Sequence, residues 1–148
     1  MRAVVQRVVR ARVEVEGEIT GAIEKGLVAF VGAGEDDTEA DVTYTVGKVV
    51  GLRVFPDDAG KMSRALADAG GALLVVSQFT LAADTSRGNR PSFIGAAGAE
   101  RGRALYERVV AAARRLHAGS VACGEFGADM QVALVNDGPV TIPITLRG

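Results

Sequence analysis

The chain is 148 residues long and contains one cysteine, one histidine and no tryptophan. A lone Cys123 excludes an intrachain disulfide, and a reducing cytoplasm is the expected compartment. Zinc sites draw on several cysteine or histidine ligands, so with only His117 and Cys123 no metal site is expected. The same scarcity argues against a Ser-His-Asp or Cys-His arrangement. His117 is read as a structural residue in the last turn of a helix, near the terminal carbonyls. No cofactor is expected either, because neither a Walker A loop nor a Gly-x-Gly-x-x-Gly turn is present. Gly32-Ala33-Gly34 runs into Glu35-Asp36-Asp37, which would repel a phosphate. No stretch approaches about 18 uninterrupted apolar residues, so no membrane span is expected. The opening MRAVVQRVVRARVEVEGE also lacks the apolar core of a signal peptide. Charge of one sign is missing too: 17 basic against 18 acidic residues leave -1, which is no simple basic glove for nucleic acid.

The hydrophobic share is 48% and the charged share 24%, ordinary values for a globular protein. They exclude intrinsic disorder, a collagen-like fibre and a disulfide scaffold. The length suits one domain, residues 1–148. Fourteen of the 17 basic residues are Arg. Arg binds phosphate in a bidentate manner, although a GC-rich genome produces the same bias.

Along the chain, Ala3–Val9 and Ala11–Glu16 read as strands, and the first third as a β-meander with turns at Gly17 and Gly21. Leu27–Val31 is apolar on both faces and predicts a central strand. Thr38 or Asp37 can cap a helix whose apolar face holds Val42, Val46, Val49 and Val50. Leu52–Phe55 reads as a short strand, Pro56–Gly60 as a turn, and Ser63–Ala69 as one helical turn or an irregular excursion. Asp36-Asp37 and Asp57-Asp58 are read as solvated turns. Ala72–Val76 predicts a second buried strand. Residues 82–98 form a long loop, of the kind that is usually functional or mobile. Glu100–Leu116 is the clearest helix, with Leu105, Val109, Ala113 and Leu116 on one stripe and Arg101, Arg108 and Arg115 on another side. Val121–Phe126, Met130–Val135 and Val140–Leu146 read as three closing strands. Pro143 removes a ladder donor and suggests an edge. The order of elements points to one mixed α/β domain.

Two segments carry chemistry. Ser77-Gln78-Phe79-Thr80-Leu81 puts two hydroxyls and an amide at the end of an apolar strand. On a strand, Ser77, Phe79 and Leu81 share one face, and Gln78 and Thr80 the other. Polar groups after a buried strand often line a site, but a strand end fraying into a loop has the same composition. Asn136-Asp137-Gly138-Pro139-Val140-Thr141 reads as a turn between strands, and Gly before Pro exposes carbonyls without a side chain in the way.

Six segments, in order, resemble the D-aminoacyl-tRNA deacylases, also called D-tyrosyl-tRNA deacylases. They are Gln6-Arg7-Val8, Gly60-Lys61-Met62, Ser77 to Asp84, Arg90-Pro91-Ser92-Phe93, Phe126-Gly127-Ala128-Asp129-Met130, and Asn136 to Thr141. Ser63 departs from the pattern, in which Asn often follows Lys-Met. The resemblance implies a mixed α+β fold with a mostly antiparallel sheet and two main helices, assembled as a homodimer. It implies hydrolysis of the ester between a D-amino acid and the 3′-terminal adenosine of tRNA. Gly138-Pro139 is then a cis peptide that reaches into the partner's site, holds the α-amino group and excludes an L side chain. Ser77, Gln78 and Leu81 line the other side, Phe79 flanks the aminoacyl group, Phe126 and Met130 shelter the adenine, and Arg7 supports Gly138-Pro139. Glycine is achiral and escapes this device, so glycyl-tRNA mischarged on tRNA-Ala falls within the implied range.

For the hydrolytic step, backbone N–H groups near Phe79 and Thr80 are candidates for an oxyanion hole. The ribose 2′-hydroxyl can assist proton transfer in place of a histidine. Thr80 as nucleophile is the competing reading, with no evident activating base. Two other functions compete. One is a non-catalytic RNA-binding module using Arg87, Arg90 and the Arg face of the helix. The other is a deacylase of altered chirality, which requires a trans Gly138-Pro139 bond.

Overall fold

The computed structural model describes residues 1–146. Eight strands and two α-helices follow the chain: β1 Arg2–Val15, β2 Glu18–Ile23, β3 Gly26–Gly32, α1 Glu39–Gly51, β4 Phe55–Pro56, β5 Met62–Arg64, β6 Ala72–Ser77, α2 Ala99–Leu116, β7 Val121–Cys123 and β8 Gln131–Thr145. A short 3-10 turn, Phe79–Ala82, follows β6. The main sheet runs β2-β1-β3-β6-β7, with β8 on the remaining edge of β1. The β1 pairings are antiparallel, whereas β3-β6 and β6-β7 are parallel. Parallel neighbours need crossover connections, and α1 and α2 lie within those two connections.

The apolar alternation of the central strands builds a core on both faces of the sheet. Leu27, Ala29, Leu73 and Val75 pack under α1 and α2 with Val42, Val46, Leu105 and Val109. Val28, Leu74 and Val76 face the other way and meet Val8, Ala11, Val13 and Ile23. β1 serves both layers because it is bent. Ala3 and Val5 point to the first core, and Val8, Ala11 and Val13 to the second. The change of parity between Val8 and Ala11 coincides with a register slip against β8 between Val8 and Arg10, as expected of a bulge. The C-terminal half of β1 and β2 thereby fold over β6 and β7. β2 passes so close that a Cβ at Gly21 would lie 2.5 Å from the Cys123 carbonyl oxygen.

Several expectations need correction. The first third is no meander: β1 is one long strand, and β3 pairs with β1 rather than with β2. The closing segments are two strands, not three. β7 stops at Cys123, and β8 runs unbroken through Asn136–Val140, because β1 supplies a partner along nearly its whole length. As Pro143 suggests, β8 is an edge strand. Arg147 and Gly148, which follow the last expected strand, lie outside the described residues. Leu52 caps α1, so the short strand begins only at Phe55. Residues 63–69 hold the end of the β4-β5 hairpin and then a single turn closed by the Ala69 N–H on the Ala65 carbonyl, within the expected range of one helical turn or an irregular excursion.

Thr38 caps α1 through a capping box with Asp41. Asp37 is not solvated: it is 4% exposed and accepts the Met1 α-amine. Leu116 is exposed, and the buried stripe of α2 uses Tyr106, Val110 and Ala112 in addition to Leu105, Val109 and Ala113. His117 is structural, but its ring bonds the Gly71 carbonyl, and only its backbone N–H meets a carbonyl of its own helix, that of Ala113. Ser63 donates to Asp57 Oδ2 at 2.7 Å, and this hydrogen bond leads those that hold the Asp57 carboxyl below its ordinary range. The departure at Ser63 is thus absorbed inside the hairpin turn.

Candidate functional site

β6 ends at the rim of a cavity of about 660 Å³. Ser77, Gln78 and Phe79 form one wall. The long loop returns Phe93 against Phe79, edge to face at 5.2 Å between ring centroids. Ala96 to Ala99, where α2 begins, close another side, and Phe126, Met130 and Val132 the third. Among the described residues lining this space none is ionisable. Any chemistry performed here draws on main-chain groups, the Ser77 hydroxyl, the Gln78 amide or the substrate itself.

The strand reading of residues 77–81 fails after Ser77. The chain turns into a 3-10 helix, so the alternation of faces does not extend to Phe79, Thr80 and Leu81. The turn is held from beneath. Gln78 N–H donates to the Val31 carbonyl at 2.8 Å, and Arg2 Nη1 donates to the Leu81 carbonyl at 2.8 Å. Gly32 gives the space: a Cβ there would sit 2.6 Å from the Gln78 carbonyl oxygen. The opening N–H groups of a helix have no intrahelical acceptor, and here they belong to Phe79 and Thr80. The Gln78 side-chain amide donates to Thr80 Oγ1. Thr80 and Leu81 do not line the cavity, and Phe79 is 58% exposed.

Phe126 is cradled by α2. Its ring lies 5.7 Å from that of Tyr106, and the Arg103 guanidinium stacks over it at 4.9 Å. Gly102 faces it so closely that a Cβ would come within 3.4 Å of the ring. The Tyr106 hydroxyl donates to the Val75 carbonyl, and burial pushes its pKa upward. Sequence reading gave no role to Phe93, to residues 96–99 or to Gly32. Phe93 stood inside a quoted motif, but only the fold brings it to Phe79.

Gly138 and Pro139 lie elsewhere, exposed on the edge strand β8 and absent from the cavity lining. Their peptide is cis, as the resemblance implies. Arg7 is mostly buried and fixes this segment, with Nε donating to the Asp137 carbonyl at 3.0 Å and Nη1 to the Val54 carbonyl at 2.5 Å. From the other side Asn136 Oδ1 accepts the Val140 N–H at 2.8 Å.

The basic stripe of α2 is partly engaged. Arg101 donates to the Glu35 and Asp37 carbonyls, and Arg108 pairs with Glu39 at 3.1 Å. Among the described residues no cluster of three or more His, Cys, Asp or Glu side chains is placed to hold a metal ion, and no helix is long and apolar enough to cross a membrane.

A family model described as D-Tyr-tRNA(Tyr) deacylase matches residues 4–145. A D-aminoacyl-tRNA deacylase of Azoarcus sp. (strain BH72) is 61% identical over 146 residues, covering 99% of this chain and 96% of that protein. One of Sorangium cellulosum (strain So ce56) is 61% identical over 145 residues, covering 97% and 96%. A solved structure described as c-Myc DNA Unwinding Element Binding Protein superposes with a TM-score of 0.95 at 39% identity, over 100% of both chains. Another, described as a probable eukaryotic D-amino acid tRNA deacylase, shares the fold with a TM-score of 0.83 at 16% identity, over 97% of both.

Proposed function

The chain belongs to the D-Tyr-tRNA(Tyr) deacylase family and hydrolyses D-aminoacyl-tRNA, and we propose that it does so in the cavity beside Ser77, Gln78 and Phe79, as a cytoplasmic homodimer. The observation that carries this reading is the cavity's lining, which among the described residues offers main-chain groups, one amide and one hydroxyl but no ionisable side chain. An aminoacyl ester is already activated, so a positioned water and a stabilised oxyanion are sufficient. The terminal adenosine lies against Phe126 and Met130, and the aminoacyl group beside Phe79. Water adds to the ester carbonyl, and the developing oxyanion is received by the Phe79 N–H on the cavity wall, with the Thr80 N–H, next in the turn but outside the lining, as the second candidate donor. The tetrahedral species then collapses, releasing the D-amino acid and the ribose hydroxyl, with the neighbouring 2′-hydroxyl relaying the proton. No protein metal or cofactor takes part in this scheme.

Chirality is sensed by Gly138-Pro139 of the partner subunit, with Arg7 in a supporting position. Its exposure on an edge strand and its absence from the lining of its own chain's cavity support a role in trans. Main chain suits the task because it cannot swing aside, and excluding the L enantiomer by obstruction is specificity against the wrong partner. D-Tyr-tRNA is therefore expected to be deacylated by the purified protein while L-Tyr-tRNA is spared. Equal rates on both would overturn the chiral reading, and no turnover of either would overturn the assignment of the activity. Of the arginines that a non-catalytic RNA-binding role would use, Arg101 is engaged with main-chain carbonyls of its own chain, whereas Arg108 makes only a surface ion pair with Glu39.

Thr80 separates the two chemical schemes. Its hydroxyl receives the Gln78 amide and lies outside the cavity lining. Thr80→Ala is expected to keep kcat within about threefold of the parent, because the 2′-hydroxyl carries the proton. Complete loss of single-turnover hydrolysis with tRNA binding intact would make Thr80 the nucleophile instead.

A further inference from the structure

Arg103 stands at the rim of the cavity with its hydrogen-bonding capacity unused. It is exposed on α2, next to Gly102, the residue that faces the Phe126 ring. Its guanidinium lies over that ring, 4.9 Å from the centroid. A Cβ on Gly127 would come 3.8 Å from Arg103 Nη2. Phe126 and Gly127 both line the cavity, and Gly127 is exposed, so it marks the edge. Among the described residues Arg103 donates no hydrogen bond and meets no carboxylate, although Glu100 and Glu107 stand about a turn away along the same helix. Arg2 and Arg101, by contrast, are occupied by main-chain carbonyls of their own chain.

A guanidinium carries five N–H donors in a fixed planar fork. The Phe126 ring holds it as a cation over an aromatic face and takes none of those donors. The side chain is thereby partly ordered before any ligand arrives, which lowers the cost of ordering it on binding. The fork matches the paired oxygens of a phosphate. We infer that Arg103 receives the phosphodiester joining the terminal adenosine of tRNA to the nucleotide before it. The inference rests on the reading of the cavity as the adenosine site. An adenosine seated on Phe126 continues through its 5′ oxygen into that phosphate. The lining among the described residues holds no cation to meet the charge, so it is met at the rim, where Arg103 touches Phe126 without an acceptor of its own.

Two esters and one binding measurement test this. D-Tyr-tRNA carries the phosphate, and D-tyrosyl-adenosine, esterified at the 3′ position, lacks it. With Arg103→Gln, kcat/KM on D-Tyr-tRNA is expected to fall about tenfold, mainly through KM, the scale of one hydrogen bond to a charged group. The loss on D-tyrosyl-adenosine is expected to be at least about fivefold smaller, since that ester never reaches Arg103 through a phosphate. Equilibrium binding of uncharged tRNA is followed across a range of salt concentrations. Its log–log slope should be shallower in the variant by about 0.7, the contribution of one phosphate contact on a single strand. An equal loss on both esters would show that Arg103 only props Phe126, and would overturn the inference. So would the absence of a loss on either ester, or an unchanged slope. A parent that hydrolyses neither ester would reject the cavity as a deacylase site, and the slope would then decide alone: a shallower one supports the phosphate contact, an equal one overturns it. Because Arg103 is exposed, the variant is expected to fold as the parent does.

Discussion

Gly32→Ala is expected to lower kcat on D-Tyr-tRNA about a hundredfold, the scale of a catalytic group misplaced by about 1 Å, while the protein stays folded. Gly32 is the last residue of β3, and the 3-10 turn carrying Phe79 and Thr80 lies directly over it. A Cβ would stand 2.6 Å from the Gln78 carbonyl oxygen and 3.2 Å from Leu81 Cβ. The first neighbour is main chain, and its own hydrogen bonds hold it. The Gln78 carbonyl accepts the Leu81 N–H, and the Gln78 N–H is tied to Val31. The obstruction is therefore relieved by lifting the whole turn, which carries the proposed oxyanion donors away from the ester. The core beneath is untouched, because Val31, Val75 and Val76 keep their positions and packing. A thermal melt within a few degrees of the parent together with the loss in kcat is the expected pair of results. A parental kcat would show that the turn does not place the reacting groups.

The layered core was legible because it depends on local pattern. Leu27–Val31 and Ala72–Val76 are short runs without polar interruption, and both became central strands buried on two faces. The spacing of Leu105, Val109 and Ala113 located α2, although Leu116, one position further on the stripe, runs off the end of the core into solvent. Long-range pairing was not legible. Asn136-Asp137-Gly138-Pro139 has the composition of a turn, yet β1, more than a hundred residues away, pairs on either side of it and keeps β8 continuous. Asp37 reads as a surface acid until the chain's first residue arrives beside it.

The site divides in the same way. Ser77, Gln78, Phe79, Phe126 and Met130 lie around one cavity, as the resemblance implies for a common site. The resemblance supplied that grouping, whereas spacing alone could not join residues about fifty positions apart. Thr80 and Leu81 leave the wall because β6 ends one turn earlier than its composition suggests. That break is set by tertiary bonds from Val31 and Arg2, which no local pattern encodes.

Gly138→Ala is expected to cost about a hundredfold in D-Tyr-tRNA turnover and to reduce the discrimination against L-Tyr-tRNA. Gly138 sits at φ +137°, which residues with a side chain rarely adopt, so any substitution there works against the local backbone. Its Cβ would lie 2.9 Å from Val140 Cγ2, 3.1 Å from Arg7 Nη2 and 3.2 Å from the Val140 nitrogen. Neither Val140 nor Arg7 is free to yield. Asn136 holds the Val140 N–H, and Arg7 is anchored to the Asp137 and Val54 carbonyls. The Gly138-Pro139 segment must turn instead, and its carbonyls leave the direction in which they are presented. The cavity of the mutated chain is unaffected, since Gly138 does not line it. This separation allows a test of the cross-subunit arrangement. A Gly138→Ala chain keeps an intact cavity, and a Gln78→Ala chain keeps an intact Gly-Pro segment. Unfolded together in equal amounts and refolded, half the dimers are mixed, and each mixed dimer has one complete site in two. About a quarter of parental activity should return if a twofold pair shares its sites. Each variant refolded alone should stay near its own low level. No recovery in the mixture would mean that Gly138 acts on the cavity of its own chain, and the proposed exchange of main chain between subunits would have to be abandoned.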